Sequence, residues 1–156
     1  MLPAESWDMI RARQRRATIP KRVTELTDRR KEQYQAFGDF LRSFVADLNQ
    51  LSEDGWSLLV EGRRDVRALR KLGFVGNVVT AASIGWSKNS LFQGSKKVVI
   101  LTDLDREGAT LAARYVKRLS HDGFRTSLRE RLRLKKASHG VFLHIENLSR
   151  FAQDGI

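Results

Sequence analysis

Residues 57–62, SLLVEG, and residues 96–108, KKVVILTDLDREG, decide the fold of this chain. Each segment is a short apolar run that ends in acidic residues and a glycine, which is typical of a buried parallel strand followed by a turn. Helical patterns follow both segments, at 63–73 and 106–123, and residues 77–83 form another strand candidate. Strands that alternate with helices predict an α/β fold with a mostly parallel sheet and helices on both of its faces.

Amphipathic and apolar segments flank this α/β pattern on both sides. From Tyr34 to Leu51, apolar side chains recur at helical spacing, so one face of a helix is expected to pack on the following domain. Downstream, residues 139–148 predict a last strand and a short helix, and His144 on that strand is expected to serve packing. We therefore divide the chain into a basic N-terminal arm and amphipathic helix (1–52), an α/β core (53–124) and a C-terminal segment (125–156).

Basic side chains dominate the composition. The 156 residues contain 29 Lys and Arg against 18 Asp and Glu, for a net charge of +11, and 20 of these bases are arginine. The excess lies mainly in residues 1–33 and 125–136. An arginine-rich excess favours a nucleic acid partner, with an anionic membrane surface as the alternative. The side chains of these two segments that are expected to bind a phosphate backbone are Arg11, Arg13, Arg15, Arg16, Arg129, Arg131, Arg133, Lys135 and Lys136.

Features that the sequence lacks exclude whole classes of function. The absence of cysteine excludes disulfide scaffolds, cysteine-ligated zinc and thiol nucleophiles. No apolar run approaches the roughly 18 residues that span a bilayer, and the first residues lack the apolar core of a signal peptide. The three histidines show no metal-ligand spacing. We therefore expect a cytoplasmic protein without a membrane partner.

Acidic residues at the strand ends stand out in so basic a chain. Glu61 closes the first strand, and Asp103, Asp105 and Glu107 follow the later one. If the two strands are neighbours in a parallel sheet, all these carboxylates lie at the edge where α/β sheets bind ligands. Asp103 and Asp105 point the same way in an extended segment, and paired carboxylates need a proton or a cation between them. Mg²⁺ held by these oxygens, with Mn²⁺ as an alternative, suits cleavage or transfer of a phosphodiester.

Structural roles compete with this interpretation for single residues. Asp105 is placed to cap the helix that begins at residue 106, with Glu107 in its first turn, but capping does not explain the other two acids. Asp65 either caps the helix at 63–72 or supports the metal. Gly62 and Gly108 remove side-chain bulk beside the acids, which would let a phosphate backbone approach.

The two acidic motifs, in this order and on strands, resemble those of the Toprim domain. Residues 58–73, LLVEGRRDVRALRKLG, resemble the opening motif of the ribonuclease that matures 5S ribosomal RNA. Residues 100–108, ILTDLDREG, resemble the second motif of type IA topoisomerases. Over about residues 57–124 the pattern is similar to small stand-alone Toprim proteins of archaea, which implies a Rossmann-like Toprim fold.

The resemblance implies a role for each matched acid. Glu61 would be the general acid or base of phosphodiester cleavage or transfer, and Asp103 and Asp105 would bind Mg²⁺. Glu107 matches a third metal-site acid that topoisomerases have and many other members lack, and Asp65 matches an acid of the maturase type.

The same resemblance implies an enzyme that acts on nucleic acid, most simply a metal-dependent endoribonuclease on structured RNA. Arg63, Arg64 and Arg106, beside the carboxylates, would then hold substrate phosphates, unless they are only solvated at helix starts. One alternative is a DNA-nicking nuclease or the Toprim subunit of a topoisomerase or primase machine. The other is a non-catalytic nucleic-acid-binding module in a ribonucleoprotein or a larger protein machine.

A self-contained topoisomerase or primase is disfavoured by what the chain lacks. The tyrosines, Tyr34 and Tyr115, both fall on predicted helical core faces, and 156 residues cannot enclose a DNA gate. Primases need a zinc module, which a chain without cysteine cannot build.

Overall fold

A computed structural model describes residues 21–84 and 91–152, with side chains from residue 27 onward within these ranges. The chain divides into two units, Met1–Ala36 and Phe37–Ile156. Helix α1 (Lys21–Glu53) begins in the first unit, where the side chains of residues 27–36 are all exposed. The other described elements belong to the second unit: β1 (Trp56–Val60), α2 (Arg63–Lys71), β2 (Val78–Thr80), β3 (Lys97–Ile100), α3 (Arg106–His121), β4 (Arg125–Ser127) and α4 (Arg129–Ser138), with 3-10 helices at Ala81–Ser83 and Ile145–Phe151.

The four strands form one sheet in the order β2–β1–β3–β4, and every neighbouring pair is parallel. The chain moves outward in one direction from β1 to β2 and in the other direction from β3 to β4. The switch point of the sheet, where α/β proteins place their ligands, therefore lies between β1 and β3. The predicted α/β fold with a parallel sheet is confirmed, and the two strands that precede the acids are neighbours.

Alternate side chains of the central strands build a hydrophobic core on each face of the sheet. On one face, Leu58 and Val99 pack with residues of α1, α2, α4 and the C-terminal 3-10 helix. On the other face, Leu59 and Ile100 pack with α3 and with Phe92. Because both faces are buried, the central strands carry continuous apolar stretches, Leu58–Val60 and Val98–Ile100, instead of alternating with polar residues. The prediction of helices on both faces is thus confirmed.

The predicted apolar face of α1 is buried from Phe37 onward. Phe37 is 6% exposed, whereas Tyr34, one turn earlier on the helix, is 48% exposed. The ring of Phe37 stacks on Phe142 and meets Phe151 edge-on, with ring centroids 5.2 and 5.0 Å apart. These contacts pack the C-terminal segment against α1, and the buried residues that follow on the helix are Leu41, Phe44, Val45 and Leu48.

Two parts of the C-terminal region differ from the sequence-based prediction. Strand β4 occupies residues 125–127, which we expected to be only basic surface, and it pairs with β3 at the sheet edge. Conversely, residues 139–148 form no strand, because residues 141–144 are irregular and the 3-10 helix Ile145–Phe151 follows. The exposure of Val141 and Leu143, 69% and 41%, shows that this apolar run is not a buried strand.

Two helices end as the sequence predicts, at a glycine with positive φ. Gly73 follows α2 with φ of +98°, and Gly123 follows α3 with φ of +86°, a conformation that favours glycine. Within residues 21–84 and 91–152, no helix combines the length and the apolar character that a membrane span would require.

Candidate metal centre at the switch point of the sheet

The carboxyl ends of β1 and β3 bring the two acidic motifs together. Glu61 directly follows β1, and Asp103 lies three residues beyond the end of β3. The backbone N–H of Leu101 donates to the carbonyl of Leu59 at 2.8 Å, which extends the parallel pairing past the end of the strand. The backbone N–H of Asp103 then donates to Oε1 of Glu61 at 3.3 Å. The two segments are therefore tied to each other at the switch point.

Hydrogen bonds from three further residues fix Asp103 in place. Its Oδ1 accepts from the backbone N–H of Ile145 at 2.9 Å, and its Oδ2 lies 3.2 Å from Nδ1 of His144. Its carbonyl oxygen accepts from Nη2 of Arg131 at 2.6 Å. The side chain is only 17% exposed. Asp103 therefore has a defined orientation although it lies in a loop.

Asp105 caps α3 and also faces His144. Its Oδ1 accepts from the backbone N–H of Gly108 at 2.7 Å, so the predicted cap is present, while its Oδ2 lies 4.0 Å from Nδ1 of His144. At Gly108, a Cβ would lie 1.8 Å from the carbonyl oxygen of Asp103. This glycine is thus needed for the close packing of α3 on residues 101–105, the acidic loop, which is a different reason from the predicted phosphate access. At Gly62 a Cβ would meet nothing within 4 Å.

Asp103, Asp105 and His144 form a group that could hold a metal ion. One ligand atom from each residue lies within 4.8 Å of the other two. Carboxylate oxygen and imidazole nitrogen are both common ligands of divalent ions. The prediction that His144 serves packing is wrong, because its side chain is 48% exposed and lies beside both acids. No spacing in the sequence signals this contact, because 41 residues separate His144 from Asp103.

Glu61 and Asp65 are carboxyl groups with raised pKa values. Burial raises the pKa of Glu61 above its ordinary value, and the neighbouring charge of Asp103 raises it further. Burial also raises the pKa of Asp65, which is 6% exposed. Oδ2 of Asp65 accepts from the backbone N–H of Gly62 at 3.0 Å, so Asp65 caps α2, one of its two expected roles. Its support of a metal stays a prediction.

Glu107 does not join this group. Its side chain is exposed in the first turn of α3, and among the described residues the converging ligand atoms are those of Asp103, Asp105 and His144. A metal-binding role for Glu107 therefore stays a prediction from the resemblance alone.

Arg131 lies buried behind the acidic loop. It is 5% exposed, and its Nη2 donates to the carbonyl oxygens of Asp103 at 2.6 Å and Asp105 at 3.5 Å. Burial lowers the pKa of Arg131, and the charges of Asp105, Glu61 and Asp103 act in the opposite direction. We expected Arg131 to bind phosphate on the surface with the other bases. That expectation is corrected, because its guanidinium instead holds the backbone that carries two acids.

The other predicted phosphate contacts differ in how accessible they are. The exposed ones are Arg63, Arg64 and Arg106 at helix starts beside the acids, and Arg129, Lys135 and Lys136 on α4. Arg133 instead pairs with Asp47 at 3.1 Å and lies over the rings of Phe40 and Phe44, so it packs α4 on α1. The side chains that lie outside the described residues are Arg11, Arg13, Arg15 and Arg16.

The chain is similar in sequence to a known domain family and to several archaeal proteins. The family model described as the Toprim domain matches residues 56–131. A UPF0292 protein of Methanosarcina barkeri is 33% identical over 115 residues, 69% of this chain and 77% of that protein. A UPF0292 protein of Pyrococcus abyssi is 31% identical over 113 residues, 72% of this chain and 86% of that protein. A UPF0292 protein of Archaeoglobus fulgidus is 35% identical over 79 residues, which span 62% of its length.

A solved structure supports the same fold. It is described as a putative protein from Aquifex aeolicus, and it matches with a TM-score of 0.58 and 29% identity over 67% of this chain and 94% of that chain. The Toprim match, together with the group at Asp103, Asp105 and His144, indicates a metal-binding function related to nucleic acid.

Proposed function

Because the chain belongs to the UPF0292 family and contains a Toprim domain, we propose that it is a metal-dependent endoribonuclease that cleaves phosphodiester bonds in structured RNA. The observation that carries the proposal is the group of Asp103, Asp105 and His144 beside Glu61, at the switch point of the sheet. The choice of RNA over DNA is supported by the resemblance of residues 58–73 to the 5S ribosomal RNA maturase.

The chemistry of the ligands fits a divalent cation. Asp103 and Asp105 supply carboxylate oxygens, which Mg²⁺ prefers, and their mutual repulsion in a partly buried site favours a positive charge between them. When bound, such an ion would neutralise charge on the scissile phosphate and position the attacking oxygen.

Glu61 is the proposed general acid or base. Burial and the charge of Asp103 raise its pKa, so the carboxyl group holds a proton closer to neutral pH than an ordinary glutamate does. That is the property a proton donor or acceptor needs, because general catalysis is most effective when the pKa lies near the working pH. The hydrogen bond from the N–H of Asp103 keeps Glu61 beside the proposed metal site.

Exposed basic side chains are proposed to hold the RNA. Arg63 and Arg64 begin α2 and Arg106 begins α3, so all three lie next to the acids at the same sheet edge. Arginine binds phosphate oxygens through two parallel hydrogen bonds and does not read sequence. We therefore expect recognition by the shape of a folded RNA and not by its base sequence.

The test is to incubate the purified protein with a structured RNA, single-stranded DNA and supercoiled plasmid, each with MgCl₂ or EDTA. We expect Mg²⁺-dependent cleavage of the RNA that is lost in Glu61→Gln and in Asp103→Asn. Glu53→Gln, an exposed acid at the end of α1, is the matched control and should cleave normally. Nicking of the plasmid without RNA cleavage would replace the proposal with a DNA nuclease. Salt-sensitive binding without cleavage of any substrate would replace it with a non-catalytic module.

A further inference from the structure

His144 places its imidazole ring beside the carboxylates of Asp103 and Asp105. We propose that His144 is a third ligand of the cation held by Asp103 and Asp105, and that it makes the site prefer Mn²⁺ to Mg²⁺. The inference rests on the proposed function only in requiring a divalent cation at the two acids, and it does not require cleavage of RNA.

The distances around His144 are those expected of ligands that share one ion. Ligand atoms at about 2.1 Å from an octahedral ion lie about 3.0 Å apart when adjacent and about 4.2 Å apart when opposite. Nδ1 of His144 lies 3.2 Å from Oδ2 of Asp103 and 4.0 Å from Oδ2 of Asp105. Both distances fall within this range, and one ligand atom from each of the three residues lies within 4.8 Å of the other two, which is compatible with one shared ion.

The backbone around His144 is fixed to the acidic loop on both sides. The N–H of Leu104 donates to the carbonyl of Leu143 at 2.6 Å, and the N–H of Ile145 donates to Oδ1 of Asp103 at 2.9 Å. Ile145 and Leu148 are buried in the core that α2 also lines. The ring is therefore held by a packed support, as a metal ligand must be, although half of it remains open to solvent.

The imidazole ligand determines which divalent ion the site binds more tightly. Mg²⁺ prefers oxygen ligands and keeps its waters, whereas imidazole nitrogen binds first-row transition ions better than it binds Mg²⁺. A site with two carboxylates and one imidazole should therefore prefer Mn²⁺ to Mg²⁺ more strongly than a site with two carboxylates alone. If His144 served only as an ion-pair partner of Asp103, its removal would change the affinities for both ions alike.

The experiment titrates the full chain with MnCl₂ and follows free Mn²⁺ by electron paramagnetic resonance, with MgCl₂ as the competitor. We expect tighter binding of Mn²⁺ than of Mg²⁺, and spin-echo modulation from a ¹⁴N nucleus coupled to the bound Mn²⁺. In His144→Ala the ¹⁴N signal should disappear, and the affinity for Mn²⁺ should fall by about 10-fold or more, with a smaller change for Mg²⁺.

The control variant is His121→Ala, which removes an 89% exposed imidazole at the far end of α3 and should keep both the signal and the preference. His144→Gln replaces the alanine variant if the latter unfolds in a urea titration. An unchanged ratio of Mn²⁺ to Mg²⁺ affinity without His144, no ¹⁴N coupling in the unmodified protein, or no binding of either ion would overturn the inference. Nitrogen-coordinated Mn²⁺ with no RNA cleavage would leave this inference standing and refute only the proposed function.

Discussion

Gly108 lies where the first turn of α3 meets the acidic loop, and its replacement by alanine tests the packing that positions the site. A Cβ there would lie 1.8 Å from the carbonyl oxygen of Asp103 and 2.5 Å from its carbonyl carbon. Neither the Asp103 carbonyl nor the Gly108 backbone can move away without weakening a hydrogen bond. Arg131 donates to the Asp103 carbonyl oxygen at 2.6 Å, and Thr102 donates to the carbonyl of Gly108 at 2.7 Å. The contact must therefore open by more than about 1 Å and disturb these bonds.

We expect Gly108→Ala to lower the free energy of unfolding, whereas alanine in place of an ordinary helical glycine raises it. Helix propensity alone would make alanine more stable than glycine by about 1 kcal/mol. Overpacking costs about 1–3 kcal/mol, and weakening the Asp105 cap, whose donor is the N–H of Gly108, adds about 0.5–2 kcal/mol. We expect a net loss of about 0.5–4 kcal/mol in the free energy of unfolding of Gly108→Ala, or a fall of about 1–16 °C in melting temperature.

Gly38 supplies the matched control within α1. A Cβ there would lie 3.5 Å from Cδ1 of Phe151, an ordinary contact, so Gly38→Ala should be neutral or more stable by up to about 1 kcal/mol. Urea unfolding followed by circular dichroism measures both variants, and similar m-values would show that the free energies can be compared. The packing argument is refuted if Gly108→Ala is as stable as the unmodified protein, or if both alanine variants lose stability equally.

Three further outcomes follow from the same structure. Arg131→Met should lower the free energy of unfolding by about 1–3 kcal/mol in a urea titration, because it leaves the carbonyls of the acidic loop without their buried donor; a change below about 0.5 kcal/mol would contradict this. Burial raises the pKa of Asp65 in the folded state above its ordinary value of 3.8. Between these two pKa values the folded chain binds more protons than the unfolded chain, so the free energy of unfolding falls as pH rises. Asp65→Asn should remove this part of the pH dependence in urea titrations across that range. Replacing both Lys135 and Lys136 with glutamine should make RNA binding less sensitive to salt. The slope of the logarithm of the binding constant against the logarithm of salt concentration should fall in magnitude by about 0.7–0.9 per lost phosphate contact. The control Lys117→Gln, an exposed position on α3, should leave this slope unchanged.

The parts of the fold that could be predicted from the sequence are those whose own residues determine their structure. The strands β1 and β3 contain the continuous apolar stretches Leu58–Val60 and Val98–Ile100, and an acid follows each strand within three residues, so the meeting of the acids at one sheet edge follows from parallel pairing alone. Strand β4 has the sequence Arg-Thr-Ser and no apolar signal, because it lies at the sheet edge and gains its structure from pairing with β3.

The parts of the site that the sequence could not predict depend on how distant segments dock. Arg131 and Arg133 are the same residue type two positions apart on α4, yet one is buried at the acidic loop and the other lies over Phe40 and Phe44. Helical periodicity separates the two side chains by about 200° around the axis, but only the docking of α4 decides which of them faces the acids. For His144 there is no local signal at all, since its contact with Asp103 is made by the packing of an irregular segment.

The acidic loop illustrates how a strongly basic chain can support a negatively charged site. Two carboxylates at the end of β3 would repel each other and draw in solvent if nothing opposed them. Arg131 supports the loop from the buried side by binding its carbonyls, which leaves the carboxylates themselves uncommitted to a fixed protein cation. His144 approaches from the exposed side, where an ion can replace or join its contact with the acids. The buried guanidinium of Arg131 is therefore separated from the positions that a metal and a phosphate would occupy. For that reason replacing Arg131 should lower stability, whereas replacing the exposed arginines should weaken RNA binding.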